Sequence, residues 1–188
     1  MKYINDISEK YCKFLLEIVF AEQKYYTVFG ADISDNDIDK LLVNADGSLL
    51  LFSTPVELLS LIKKNNSFFD NEALQEWARE INGINESYAV ISFDVLSKDI
   101  TDLNDLELFK SIYHTLGIVE DYSKQINDER LLALCEQGIL VQFVDDLADY
   151  FTWSENKVFT ISVDIDILSL HLKGIYERLK ERVKTYHL

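Results

Sequence analysis

Apolar positions along this chain alternate between short and long periods. Residues 41–43 and 49–52 are two short apolar arms joined by Asn44-Ala45-Asp46-Gly47. An Asp-Gly pair between such arms predicts a hairpin, because glycine accepts the positive φ of the turn. A helix start follows at once: Thr54 at the N-cap, Pro55 at the first helical position, and Glu57 to close a capping box. Residues 24–29, aromatic and β-branched before Gly30, read as a strand. So does 87–96, where Ala89, Ile91, Phe93 and Val95 alternate. Tyr88 and Val90 keep its other side apolar, the pattern of an interior strand. Residues 157–163 alternate Phe159, Ile161 and Val163, which predicts a further strand.

Helical spacing accounts for the rest. Ile7, Tyr11, Phe14, Leu15 and Ile18 predict a helix over 5–22. Leu74, Trp77, Ala78 and Ile81 predict one over 70–81, with Asp70 as cap and Gly83 beyond its end. Leu106, Phe109, Ile112, Tyr113 and Leu116 mark 102–116, stopped by Gly117, and a short helix continues over 118–126. Another spans 128–137. Over 139–153 the positions of Leu140, Phe143, Val144, Leu147, Tyr150 and Phe151 fit a helix better than a strand. The most regular helix, 166–186, carries Leu168, Leu172, Ile175, Leu179, Val183 and Tyr186. Together these predict a single α+β domain over 1–188. It has a small mixed or antiparallel sheet (hairpin 41–52 with strands near 24–29, 87–96 and 157–163) and about seven helices.

Composition changes the picture in one respect, charge. The 188 residues hold 18 Lys and Arg against 33 Asp and Glu, a formal charge of −15. That disfavours nucleic acid, whose binding is driven by cations displacing counterions, and an anionic membrane surface. It favours a basic protein partner. The excess is concentrated: residues 94–155 carry 14 acids and four bases, while 173–188 carry five bases and two acids. Cys12 and Cys135 stand alone, without metal or disulfide spacing. The N-terminus lacks a signal-peptide pattern and no apolar run has the length of a membrane span. A cytoplasmic protein is the expectation.

Candidate chemistry is sparse. Asp145-Asp146-Leu147-Ala148-Asp149 spells DDxxD, similar in spacing to the aspartate-rich motif of isoprenoid synthases. On a helix, Asp145 and Asp149 share a face, where a divalent cation could sit between carboxylates. The second metal motif of those enzymes is missing. Asp35, Asp37 and Asp39 alternate as in a calcium loop, but Lys40 stands where the sharp turn needs glycine. His114, His171 and His187 have no zinc spacing, and no glycine-rich phosphate loop or nucleophile elbow is present. These features predict no enzyme and no cofactor. What stands out is tyrosine beside acid, as at Tyr122 and Tyr150, a combination suited to protein contact.

In size, acidity and lack of catalytic motifs, the whole chain resembles the immunity proteins encoded beside bacterial polymorphic toxins, including those of contact-dependent growth inhibition. The resemblance implies a cytoplasmic inhibitor that occludes the active site of a cationic toxin, often a nuclease, and it carries over no individual residues. The acidic second half would then supply the contact, through Asp145, Asp146, Asp149 and Tyr150, with Asp99, Asp102, Asp105 and Glu107 as a second patch. Two other readings remain: an adaptor or nucleic-acid mimic, and a divalent-metal enzyme built on DDxxD.

Overall fold

A computed structural model describes residues 4–84, 86–153 and 159–186. Among these, seven α-helices and a mixed six-stranded sheet form an α+β fold. The chain divides into two compact units, one of residues 1–91 with 182–188, the other of 92–181.

In the first unit, helix α1 (Ile4–Tyr11) ends where Cys12 turns to a φ of 50°, and strand β1 (Lys13–Phe20) begins. The helix expected over 5–22 is therefore only half a helix. The apolar run of β1 is buried on both faces, and such a run has no period by which to tell strand from helix. A two-residue turn at Ala21 and Glu22, both with positive φ, returns the chain as β2 (Gln23–Asp32). Then come β3 (Ile38–Leu41), antiparallel to β2, and β4 (Leu49–Phe52). The turn expected within 41–52 forms: Gly47 has a φ of 81°, its N–H meets the Asn44 carbonyl at 3.0 Å, and Leu50 N–H meets the Leu42 carbonyl at 2.9 Å. The two arms meet only at the isolated bridge of Val43 and Leu49, and β3 and β4 each pair with β2.

Helix α2 (Pro55–Lys64) starts with the full capping box of Thr54 and Glu57. Helix α3 (Asn71–Glu80) starts differently from expectation. Asp70 has a φ of 43° and makes no side-chain cap; its carboxylate meets the Lys13 ammonium at 2.7 Å instead. Lys13 is fully buried and also reaches the carbonyls of Ala31 at 2.5 Å and Tyr11 at 3.2 Å. A buried ammonium needs such partners, and supplying them takes Asp70 from its helix. Helices α1, α2 and α3, with Ile81 just past the end of α3, bury Ile7, Leu58, Leu59, Ile62, Leu74, Trp77 and Ile81 against Leu15, Val28, Leu50 and Phe52 of the sheet.

Sheet order is β5-β1-β2-β4-β6, with β3 also on β2. Strand β5 is only Ala89–Ser92 and lies at the edge; Phe93–Ser97 winds into a 3-10 turn. The interior strand expected over 87–96 is thus a short edge strand, and the apolar second side, Tyr88 and Val90, is exposed. The other edge is β6 (Val183–Tyr186), parallel to β4. These four residues were expected in the last helix, which ends at Arg182. Strand pairing wins there. Lys184 reaches Asp46 in the hairpin turn at 2.5 Å and Tyr186 stacks on Phe52 at 5.3 Å.

The second unit is helical. Helix α4 (Leu106–Gln125), capped by Asp105, runs through Gly117 without a break, because Ile112, Leu116, Val119 and Tyr122 are buried on both sides of that residue. Tyr122 is therefore core, not contact surface. Helix α5 (Glu129–Cys135) is capped by Asp128, and α6 (Gly138–Trp153) and α7 (Ile165–Arg182) follow. Of the strand expected over 157–163, residues 157 and 158 lie outside the described residues, and 159–163 form no strand.

Candidate partner-binding surface

Helix α6 sorts its acids by side. Phe143 and Leu147 are fully buried, and Leu140 nearly so. On the opposite side, Val141, Asp145 and Asp149 follow one another at four-residue steps along one ridge. All three are exposed, and neither Asp makes a side-chain hydrogen bond or ion pair among the described residues.

Asp146, next along, is half-buried and engaged. Its carboxylate accepts the Ser162 N–H at 2.8 Å, the Ser162 hydroxyl at 2.7 Å and the Gln142 amide at 3.0 Å. Burial pushes this carboxyl up, but the Ser162 and Gln142 donors outweigh it and hold it below the usual carboxylate range. Ser162 is held by that contact, and the Phe159 ring lies 5.1 Å from Tyr150 and 5.2 Å from Phe109. Tyr150 is half-buried, with the Phe151 ring 5.3 Å away. The three aspartates of DDxxD therefore do not converge. Among the described residues no three His, Cys, Asp or Glu side chains gather as metal ligands do.

The second expected patch is mostly engaged as well. Asp105 caps α4 through the Leu108 N–H at 2.9 Å, and Asp102 accepts from Asn104 at 2.8 Å. Asp99 is paired with Lys173 at 2.6 Å, which holds its carboxyl below the usual range. Glu107 is exposed and makes no side-chain hydrogen bond or ion pair among the described residues. The eight expected residues thus separate into Asp145, Asp149 and Glu107, exposed and unengaged, and the others, which hold structure. Ser162, which decides the role of Asp146, carries no signal in the sequence: the pair lies sixteen residues apart.

The basic end of α7 is neutralised. Arg178 grips buried Asp128 at 2.6 Å and also meets Glu181, and Lys180 meets Glu177 at 2.6 Å. Residues 92–181 hold 18 acids and 8 bases, a net −10, against −5 for the remainder of the chain. His114 is exposed against Tyr113, His171 is half-buried, and His187 lies outside the described residues. Cys135 is half-buried, and its partial burial pushes the thiol up to about 12 and leaves it without nucleophilic character at neutral pH. No helix among the described residues is long and apolar enough to cross a membrane.

No protein-family model matches the chain, and no curated protein sequence matches it. A solved structure is similar to it: the crystal structure of the SatS C-terminal domain in complex with bromine. The TM-score is 0.63 at 15% sequence identity, over 96% of this chain and 97% of that one. At that identity the likeness is one of fold.

Proposed function

We propose that this chain is a cytoplasmic binding protein that neutralises a cationic partner, a toxin domain of the nuclease kind, by covering its active site. One observation carries the reading: Asp145 and Asp149 stand exposed and unengaged on the outer ridge of α6, in a unit whose net charge is −10. Carboxylates in that position raise the rate of encounter with a basic surface and add specificity once contact is made. Val141 beside them gives the ridge an apolar element, and half-buried Tyr150 lies on the next turn.

The test is a tagged pull-down from the native cell, washed first at low and then at high salt. The expected result is one stoichiometric basic protein that survives high salt. Its association with the Asp145→Lys/Asp149→Lys variant should be slower by about tenfold or more at low salt. Several basic proteins, all lost with salt, would instead make the chain a charge mimic or adaptor. No partner at all would turn attention to a titration with Mg²⁺ or Mn²⁺, where saturable binding would favour the metal-enzyme reading.

A further inference from the structure

The connection between β2 and β3 presents what the fold alone does not require. Ile33 and Ile38 bracket its tip and are 58% and 48% exposed. One exposed isoleucine is ordinary, but two at one turn, where polar residues are the usual choice, call for a contact. The tip is also held from within. Asp32 accepts the Ser34 N–H at 3.1 Å and its hydroxyl at 2.6 Å, and the Asp32 carbonyl accepts the Asp37 N–H at 3.1 Å. The Lys40 ammonium lies 2.8 Å from Asp32 and 2.6 Å from Asp35, so a lysine fills the place a bound cation would take. Asn36 and Asp37 both hold positive φ, 56° and 58°, a conformation that residues with a β-carbon rarely adopt in succession. The isoleucines therefore stand on a preformed backbone, and little ordering remains to be done when they bind. Asp37 and Asp39, exposed beside them, make no side-chain hydrogen bond or ion pair among the described residues.

We infer that residues 33–39 are a second docking element: Ile33 and Ile38 enter an apolar pocket on a basic protein, and Asp37 and Asp39 pair with cationic side chains at its rim. An apolar centre inside a charged rim is the usual anatomy of a specific contact. The occupant follows from charge. A second copy would bring another −15 against the tip, whereas a basic protein complements it. The inference rests on the cationic partner proposed above and adds where that partner is anchored.

Photo-crosslinking in the native cell tests it. A benzoylphenylalanine replaces, one at a time, Ile33, Ile38, Val141 on the α6 ridge, and Val56, a control at 69% exposure. One basic protein should crosslink from 33 and 38 and not from 56. That protein, purified, should bind the Ile33→Ser/Ile38→Ser variant at least tenfold more weakly than the unaltered chain, and Val56→Ser within twofold of it. Crosslinks from 56 as strong as from 33 and 38, a crosslink to a second copy, or equal binding by the double variant would overturn the inference. A basic protein captured from 141 alone would overturn it and leave the α6 reading standing. A neutral or acidic protein captured from 33 and 38 would overturn the cationic partner itself, and no crosslink from any site would overturn both.

Discussion

Each of the two units holds a buried or nearly buried ion pair, and the pairs do different work. In the first unit, Lys13 and Asp70 join the start of β1, the end of β2 and the start of α3, and Lys13 has no exposed atom. In the second, Asp128 caps α5 and at the same time grips Arg178 of α7, whose side chain keeps 16% exposure. In each pair one partner is buried and the other keeps some exposure, 13% for Asp70 and 16% for Arg178. The first buries its cation, which also serves two backbone carbonyls; the second buries its anion, which also caps a helix. The number of acceptors left without a donor, more than burial of the pair, should decide what removal of a partner costs.

The largest effect should come from breaking the first pair. Lys13→Ala leaves the Asp70 carboxylate and two carbonyls without their donor, and chemical denaturation should show a loss of about 3–5 kcal/mol. Asp128→Ala should cost less, about 2–3 kcal/mol, since it removes an N-cap and leaves Arg178 able to reach water and Glu181. Equal losses would mean that the two carbonyls served by Lys13 carry no part of the cost.

A finer comparison concerns pH. Asp146 is held below the usual carboxylate range in the folded chain, so it contributes stability that is present above the unfolded value of about 4 and is lost as pH falls through the folded one. Asp146→Asn should therefore flatten the fall of stability below about pH 4, read from thermal unfolding at stepped pH. The smallest effect should be at Gly117, where an added methyl would meet nothing within 4 Å. Gly117→Ala should stabilise the chain by about 1 kcal/mol, through helix propensity alone.

Local rules were legible in the sequence, and long-range pairing was not. The capping box at Thr54 and the turn at Gly47 lie within a few residues of what they bond. Lys13 with Asp70, Ser162 with Asp146, and β6 with β4 are joined across much longer stretches, and nothing local announces them. The misread helix over 5–22 shows the same limit. The reversal at Cys12 works because Gly30 lets the Cys12 carbonyl approach where a β-carbon would come within 2.1 Å of it. Of the candidate surface, the net charge pointed to the second half of the chain, but it could not separate Asp145 and Asp149, which are exposed, from Asp146, which is engaged. That distinction depends on which side of α6 meets Ser162.

The parallel pairing of β4 with β6 has a consequence for how the chain is made. Leu49–Phe52 is synthesised early, but its neighbour Val183–Tyr186 follows only after residues 53–182, about 130 in all. While the ribosome works through that stretch, the outer edge of β4 has no strand beside it. Closing so long a loop is slow compared with forming the local hairpins, and an unpaired edge can pair with other chains in the meantime. The last strand should therefore lock the sheet late, after the β1–β2 and β2–β3 hairpins have formed, and the nascent chain is most open to misassembly before Lys184 reaches Asp46.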